Sequence, residues 1–481
     1  DFLLVDGINN KTRSLSNYVQ ADYVYDERYM LTATMAIDGS SRFGRNTEDG
    51  IHLSDRSWAV FPAINAGWLL SSESFMKPLE AINFAKLRVG YGLTGNDGIQ
   101  DYEAMTYFSI VQFMGVGNGL ALDNLANNSL QWETTGRANL GLDLGLFNDR
   151  VNLTMDLYRS RTNNLLTLRR APYFTGVNYR WMNEGSMTNN GYEVSALVKV
   201  LNTKPLKWEV GFGLGHYDNT ITSLPKGAYT TPVFGGEVLT AVGESVGSFY
   251  GYKTLGVFSH ETEAANAYYD AEAGVSRPLV KKNADGSYSP FLAGDIHFEE
   301  VVKDGIIDEK DKQVIGNPNP ELFGNITSRF YFNRFTLTTL FTYSLGNDVY
   351  NYSRSQLEAG KDISNQTKAM KYRWTGEHQI TTQPRAVFGD PMGNARFSDR
   401  WIEDASYLRL KNVKLSYDLP LKSTYFQGVN IWISANNLLT WSNYLGLDPD
   451  VTGGNGVYVQ GIDAGLVPNT PSYAVGFRLN L

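Results

Sequence analysis

Side-chain polarity alternates with period two along most of the chain. In the last twelve residues Tyr473, Val475, Phe477, Leu479 and Leu481 fall on one face of a strand, and Ala474, Gly476, Arg478 and Asn480 on the other, because successive strand side chains point to opposite faces. The same alternation runs through Leu140, Leu142, Leu144 and Leu146; Val151, Leu153, Met155 and Leu157; Phe335, Leu337, Thr339, Phe341 and Tyr343; and Val429, Ile431, Ile433 and Ala435. It predicts strands near 16–25, 28–37, 57–70, 84–93, 131–146, 150–160, 190–201, 206–217, 321–333, 335–345, 404–419, 428–440 and 470–481. Amphipathic helical stretches are not found, so the expected class is all-β. Several segments exceed the ordinary strand of about 5–6 residues and reach the roughly 9–11 that a tilted bilayer crossing requires. One greasy and one wet face fit a transmembrane antiparallel β-barrel, with lipid outside and water inside.

The connections fall into two classes. Asn148-Asp149 and Asn333-Arg334 read as tight hairpin turns, since Asn and Asp tolerate positive φ. Long connections are expected near 97–130, 161–189, 218–320 and 346–403. Short turns on one rim and long extracellular loops on the other are the barrel arrangement, whereas loops of this length count against a compact soluble domain. Thirteen predicted strands is an odd number, and single-chain bacterial barrels use an even one. Either strands escape the pattern or residues outside this sequence complete the barrel. Asp1-Phe2-Leu3-Leu4 carries no initiator Met, charged n-region or cleavage site. The expectation is therefore a partial transmembrane barrel over 1–481, made of the later strands.

Composition narrows the partners more than the fold. The 29 Tyr and 24 Phe suit interfacial girdles but also soluble β proteins. A net charge of −8, spread along the chain, leaves no basic stripe to neutralise phosphates, so nucleic acid is not an expected partner. The absence of cysteine excludes disulfide frameworks, thiolate metal sites and cysteine nucleophiles. No apolar run has the length of a transmembrane helix.

Two stretches carry candidate chemistry. Residues 300–311 can be set against a twelve-residue calcium loop: Glu300 at position 1, Asp304 at 5, Gly305 at the turn position 6, the Ile306 carbonyl at 7, Asp308 at 9 and Asp311 at 12. Val302 supplies no oxygen, and Asp311 is shorter than the usual bidentate Glu. The loop would take Ca2+ or only keep the turn geometry; no other cofactor is expected. Gly243-Glu244-Ser245-Val246-Gly247 matches G-x-S-x-G, but a nucleophile elbow needs a strand before the serine and a helix after it. Here the segment runs into Phe249-Tyr250-Gly251-Tyr252 with no helical period, which reads as a chance match and no catalytic residue. His52, His216, His260, His297 and His378 are widely separated and form no metal-binding spacing. Tyr350, Tyr352, Tyr372 and Trp374 would stack on a cargo or pack within the loops.

Several tags then occur in order: Ile37-Asp38-Gly39-Ser40-Ser41-Arg42-Phe43-Gly44, closing the stretch 29–44; Phe61-Pro62-Ala63-Ile64-Asn65-Ala66-Gly67-Trp68; and Lys86-Leu87-Arg88-Val89-Gly90-Tyr91-Gly92-Leu93-Thr94-Gly95-Asn96. They are followed by Gly247-Ser248-Phe249-Tyr250-Gly251-Tyr252, Ile315-Gly316-Asn317-Pro318-Asn319-Pro320, Asp404-Ala405-Ser406-Tyr407-Leu408-Arg409-Leu410-Lys411-Asn412 and Ser434-Ala435-Asn436-Asn437-Leu438-Leu439-Thr440-Trp441. From about residue 17 to the end the sequence resembles the carboxyl-terminal barrel portion of SusC/RagA-type TonB-dependent outer-membrane transporters of Bacteroidetes.

That resemblance implies a 22-stranded barrel with an amino-terminal plug that is missing here. It also implies a SusD-like surface lipoprotein as lid, TonB acting through the plug, outer-membrane lipid around the strands, and an oligosaccharide or oligopeptide as cargo. No covalent chemistry is implied. The residues alone keep two alternatives open: an outer-membrane barrel hydrolase, and a secreted soluble β-rich adhesin.

Overall fold

The computed structural model describes residues 10–53, 56–113, 117–420, 428–451, 453–454 and 456–480. The amino-terminal tetrapeptide and Leu481 lie outside them. Each of the thirteen predicted segments is a long strand: β1 Ser14–Tyr25, β2 Tyr29–Ser40, β3 Arg56–Leu69, β4 Ile82–Asn96, β5 Glu133–Leu146, β6 Val151–Asn163, β7 Ser186–Asn202 and β8 Leu206–Ser223. The remaining five are β9 Leu322–Phe332, β10 Phe335–Leu345, β11 Tyr407–Leu419, β12 Gly428–Ser442 and β13 Ser472–Asn480. The chain divides into two compact units, Asp1–Val200 with Glu209–Gly227, and Leu201–Trp208 with Ala228–Leu481.

In the first unit consecutive strands pair as an antiparallel meander, β1 through β8. Register aligns apolar residues across it: Leu31 faces Ala66, Ala66 faces Val89, Val89 faces Leu140, Leu140 faces Leu157 and Leu157 faces Tyr192. A one-residue slip would turn every member of that row to the other face, so the pattern fixes the register. The opposite face is polar and internally bonded. Arg88 on β4 donates to Asp143 on β5 at 2.8 and 3.0 Å and to Asp156 on β6 at 3.0 and 3.0 Å, and Asn139 donates to Asp156 at 2.9 Å. Its guanidinium lies flat over Gly141, where a Cβ would come within 2.5 Å of the Arg88 Cζ. Glycine is what admits the three-strand bridge.

The second unit repeats the principle over β9 to β13. Phe330 faces Leu337, Leu337 faces Leu415, Leu415 faces Ile433 and Ile433 faces Val475. One irregularity keeps the row intact. Between Leu410 and Asn412 the pairing of β11 shifts against both β10 and β12, a bulge that Asn437 accommodates with φ +50. Strict alternation from Val413 would send Lys411 and Arg409 to the apolar face. The extra residue sends Leu410 and Leu408 there instead, opposite Phe341 and Tyr343.

Strand ends on the tight-turn side sit where the sequence puts them. Phe147, Asn148 and Asp149 all have φ between +54 and +58, and Asn333 has +54. On the long-loop side β7 starts at Ser186 rather than 190, and β8 runs to Ser223 rather than 217. Those extensions are rich in polar residues, Thr188, Asn189, Asn219 and Thr222 among them, and are paired by bonds such as Asn219 to Asn189 at 2.6 Å. They pair as strands without the alternation that marks one.

Candidate functional site

The long connections fold. In the first unit Phe43, Ile99, Ala104 and Leu130 are buried together, with Trp132, Leu166 and Trp181 against them. In the second unit the connections 228–321, 346–406 and 443–471 form one packed body. The strand Asp348–Asn351 pairs antiparallel with Ile402–Asp404 and parallel with Ile462–Asp463. That third connection, closing between β12 and β13, is not among the four long loops predicted. Arg354 and Arg400 stand 5.4 and 4.5 Å from the ring of Trp401, which is fully buried. Burial, with the charge of Arg354, pushes Arg400 down to about 10. Asp295, also fully buried, receives two 2.8 Å bonds from Arg385 and one of 2.9 Å from Asn394, so the buried charge is paired.

Within this body opens a concavity of about 670 Å³ walled by Tyr250, Tyr252, Phe397, Lys282, Lys312 and Arg396. The Arg396 guanidinium is held between the rings of Tyr252 at 4.8 Å and Phe298 at 4.5 Å, and its nitrogens donate to the carbonyls of Gly393 and Met392 at 2.9 and 2.6 Å. Lys312 bridges Glu237 at 2.6 Å and Glu309 at 2.5 Å. Burial alone would lower Lys312, but those two bonds outweigh it and hold the ammonium above its ordinary range. Lys281 shares the wall; burial first, and the charge of Arg396 second, lower it. Fixed cations beside aromatic rings can orient a polar ligand and stack on its flat faces.

The 300–311 loop adjoins this concavity through Asp308 and Glu309. Gly305 has φ +80, the turn conformation its position requires. The acidic side chains face backbone amides. Glu300 accepts from Gly305 N; Asp304 accepts from Ile306 N at 3.0 Å and Asp308 from Lys310 N at 2.9 Å. Asp311 accepts from Val301, Val302 and Asp308 N at 2.9, 3.1 and 2.9 Å. Ile306 belongs to the strand Ile306–Ile307, paired in parallel with Val280–Lys282. Among the described residues no three carboxylate, imidazole or thiolate side chains converge as a metal cage. With its carboxylates turned to backbone amides, the donor set does not fit Ca2+ in this arrangement.

Ser245 lies in a turn between the strands Gly236–Thr240 and Phe249–Gly251, and no helix follows it. The elbow geometry is not formed. Of the histidines, His297 stacks on Phe258 at 4.4 Å, His216 lies 5.1 Å from Tyr192, and His52 meets Ser57 at 3.2 Å. His260 and His378, far apart in sequence, come within 5.3 Å ring to ring. Tyr350 is buried and donates to the Phe234 carbonyl at 3.0 Å, Tyr352 packs on Phe234, and Trp374 donates to the Ser259 carbonyl at 3.1 Å. Those three pack the loops. Tyr372 is 73% exposed. The concavity escapes sequence reasoning because its walls come from residues 235–397 with no shared period.

The TonB dependent receptor-like β-barrel profile matches residues 4–296, and the chain belongs to that family. Its likeness is to the SusC/RagA type, proteins of the Gram-negative outer membrane. TonB-dependent receptor P3 of Formosa agariphila is 30% identical over 98% of the chain and 46% of its own length. TonB-dependent receptor SusC of Bacteroides thetaiotaomicron is 27% identical over 97% and 43%. The chain thus spans about half the length of the curated relatives it matches. The solved RagAB peptide transporter covers 97% of the chain with 47% of its own, at TM-score 0.78 and 23% identity, a likeness of fold. The family is one of receptors.

Proposed function

We propose that this chain supplies strands and extracellular loops to a transmembrane antiparallel barrel, 22-stranded by family expectation, that imports an oligosaccharide or oligopeptide across the outer membrane. The observation that carries this is exposure of the apolar row. Val475, Phe477 and Leu479 are 75, 72 and 49% exposed, and Leu157, Leu140 and Val89 are 58, 46 and 51%. Such a band calls for an apolar cover, and on long tilted strands acyl chains supply it. Aromatic rings gather at the tight-turn rim, as a membrane interface favours: Tyr29 on Trp68 at 6.2 Å, and Phe335 on Tyr417 at 4.5 Å. The folded connections, including those near 97–130, 161–189, 218–320 and 346–403, stand at the extracellular rim in this reading. A SusD-like lipoprotein covers them, and TonB supplies the energy.

The test has two parts. Purified protein should need detergent or lipid to stay monodisperse; if it stays monodisperse in plain buffer, the barrel reading fails and a secreted adhesin takes its place. Cells lacking the gene should lose uptake of labelled oligosaccharide or oligopeptide, and regain it with the intact gene.

A further inference from the structure

The apolar row of the first unit does not continue to the loops. On β6 it runs Val151, Leu153, Met155, Leu157 and then changes, on the same face, to Arg159 and Arg161. Both arginines are exposed, and among the described residues neither is held by a carboxylate. Their neighbours leave room. Arg159 stands between Ala138 and Asn190, and Arg161 between Gly136 and Thr188. Tyr91, on the adjacent β4, lays its hydroxyl against Gly136, 2.9 Å from where a Cβ would stand. Directly below lies a concavity of about 990 Å³ whose floor and walls are Leu31, Ala66, Val89, Leu140, Leu157 and Tyr192.

We propose that this face is a seat for one membrane lipid with a phosphorylated headgroup. Arg159 and Arg161, two residues apart and so about 7 Å along the strand, present two guanidinium forks to the phosphate oxygens, the geometry that suits Arg to phosphate. The acyl chains lie in the concavity. Two forks above a greasy trough match an anion joined to hydrocarbon, and a free phosphate would leave the trough uncovered. The carboxylate facing the seat from the next strands is Asp218, drawn to His216 at 3.5 Å. The inference rests on the membrane reading above, because only there do the arginines stand at headgroup depth.

The experiment uses the full-length receptor carrying this chain, released from membranes in mild detergent and titrated with phosphatidylglycerol, with diacylglycerol of the same chains, and with inorganic phosphate. Native mass spectrometry counts the lipid retained. The wild type should hold one phosphatidylglycerol and retain diacylglycerol at least tenfold less. Arg159→Ser with Arg161→Ser should lose phosphatidylglycerol at least tenfold. Arg159→Lys with Arg161→Lys, which keeps charge without the forks, should fall between and controls for folding. Equal retention by the Ser variant, equal retention of diacylglycerol, or displacement of the lipid by millimolar inorganic phosphate would overturn the proposal. A wild type that never enters vesicles sinks the membrane reading itself; one that enters and shows no arginine dependence sinks only the lipid seat.

Discussion

Replacing Met155 by arginine separates a lipid-facing sheet from a water-facing one. Met155 lies third of the four apolar residues on its face of β6, paired to Leu142 on one side and Val194 on the other, and is 38% exposed. If acyl chains cover it, an arginine near the bilayer midplane costs about 2–4 kcal/mol, roughly a 30- to 1,000-fold fall in the folding constant. If water covers it, a surface substitution changes stability by about 0.5 kcal/mol or less. The neighbour Thr154 projects to the opposite face, opposite Asp143, and Thr154→Arg serves as the internal control. Guanidinium titration of the protein in phospholipid vesicles, followed by the band shift between heated and unheated samples, measures both. The reasoning is refuted if Met155→Arg costs no more than Thr154→Arg.

Three further outcomes are expected. Arg409, which the β11 bulge turns away from the apolar face, is fully buried, pairs with Asp448 and Asp450 and donates to Thr440 at 3.0 Å; Arg409→Met leaves a buried carboxylate and should cost about 3 kcal/mol or more, seen as faster amide exchange across 443–471 while β6 is unchanged. Asp448 supplies a pH limit: burial raises it, but the Asn469 and Asp450 amides, the Asn469 side chain and Arg409 outweigh burial and hold the carboxyl below its usual range. A lowered folded pKa gives stability that is complete above the unfolded value of about 3.9 and is lost as pH falls through the folded one, so proteolysis within 443–471 should be flat from pH 8 to 5 and rise only below about pH 4. Gly141→Val should displace the Arg88 guanidinium and cost about 1–3 kcal/mol by overpacking, read as an earlier guanidinium midpoint; an unchanged midpoint would show that the bridge bears no load.

The strands were legible because a sheet with one greasy face writes its register into the sequence. Where polar residues fill most positions, as at Ser186 to Asn189 and around the buried Ile221 between Asn219 and Ser223, pairing continues without that signature. The bulge left a trace that strict alternation overlooks: Leu408 and Leu410 are even, Val413, Leu415 and Tyr417 are odd, and the change of parity marks the inserted residue. The bodies built by the long connections left none. In the second unit their strands are two to five residues long, and contacts distant in sequence hold them, such as Asp348–Asn351 on Ile462–Asp463. The 300–311 loop was half legible, since Gly305 has the backbone its position demands while the carboxylates serve amides.

The bulge lets β11 absorb one residue without changing which side chains meet the apolar surface. Deleting Lys411 would place Leu410 directly before Asn412, two positions from Val413, so Leu408 and Leu410 would keep the apolar face and Arg409 its side toward Asp448. A strand phased this way tolerates loss of the extra residue as well as exchange of its side chain, and the loop 443–471 would stay coupled to the wall that anchors it.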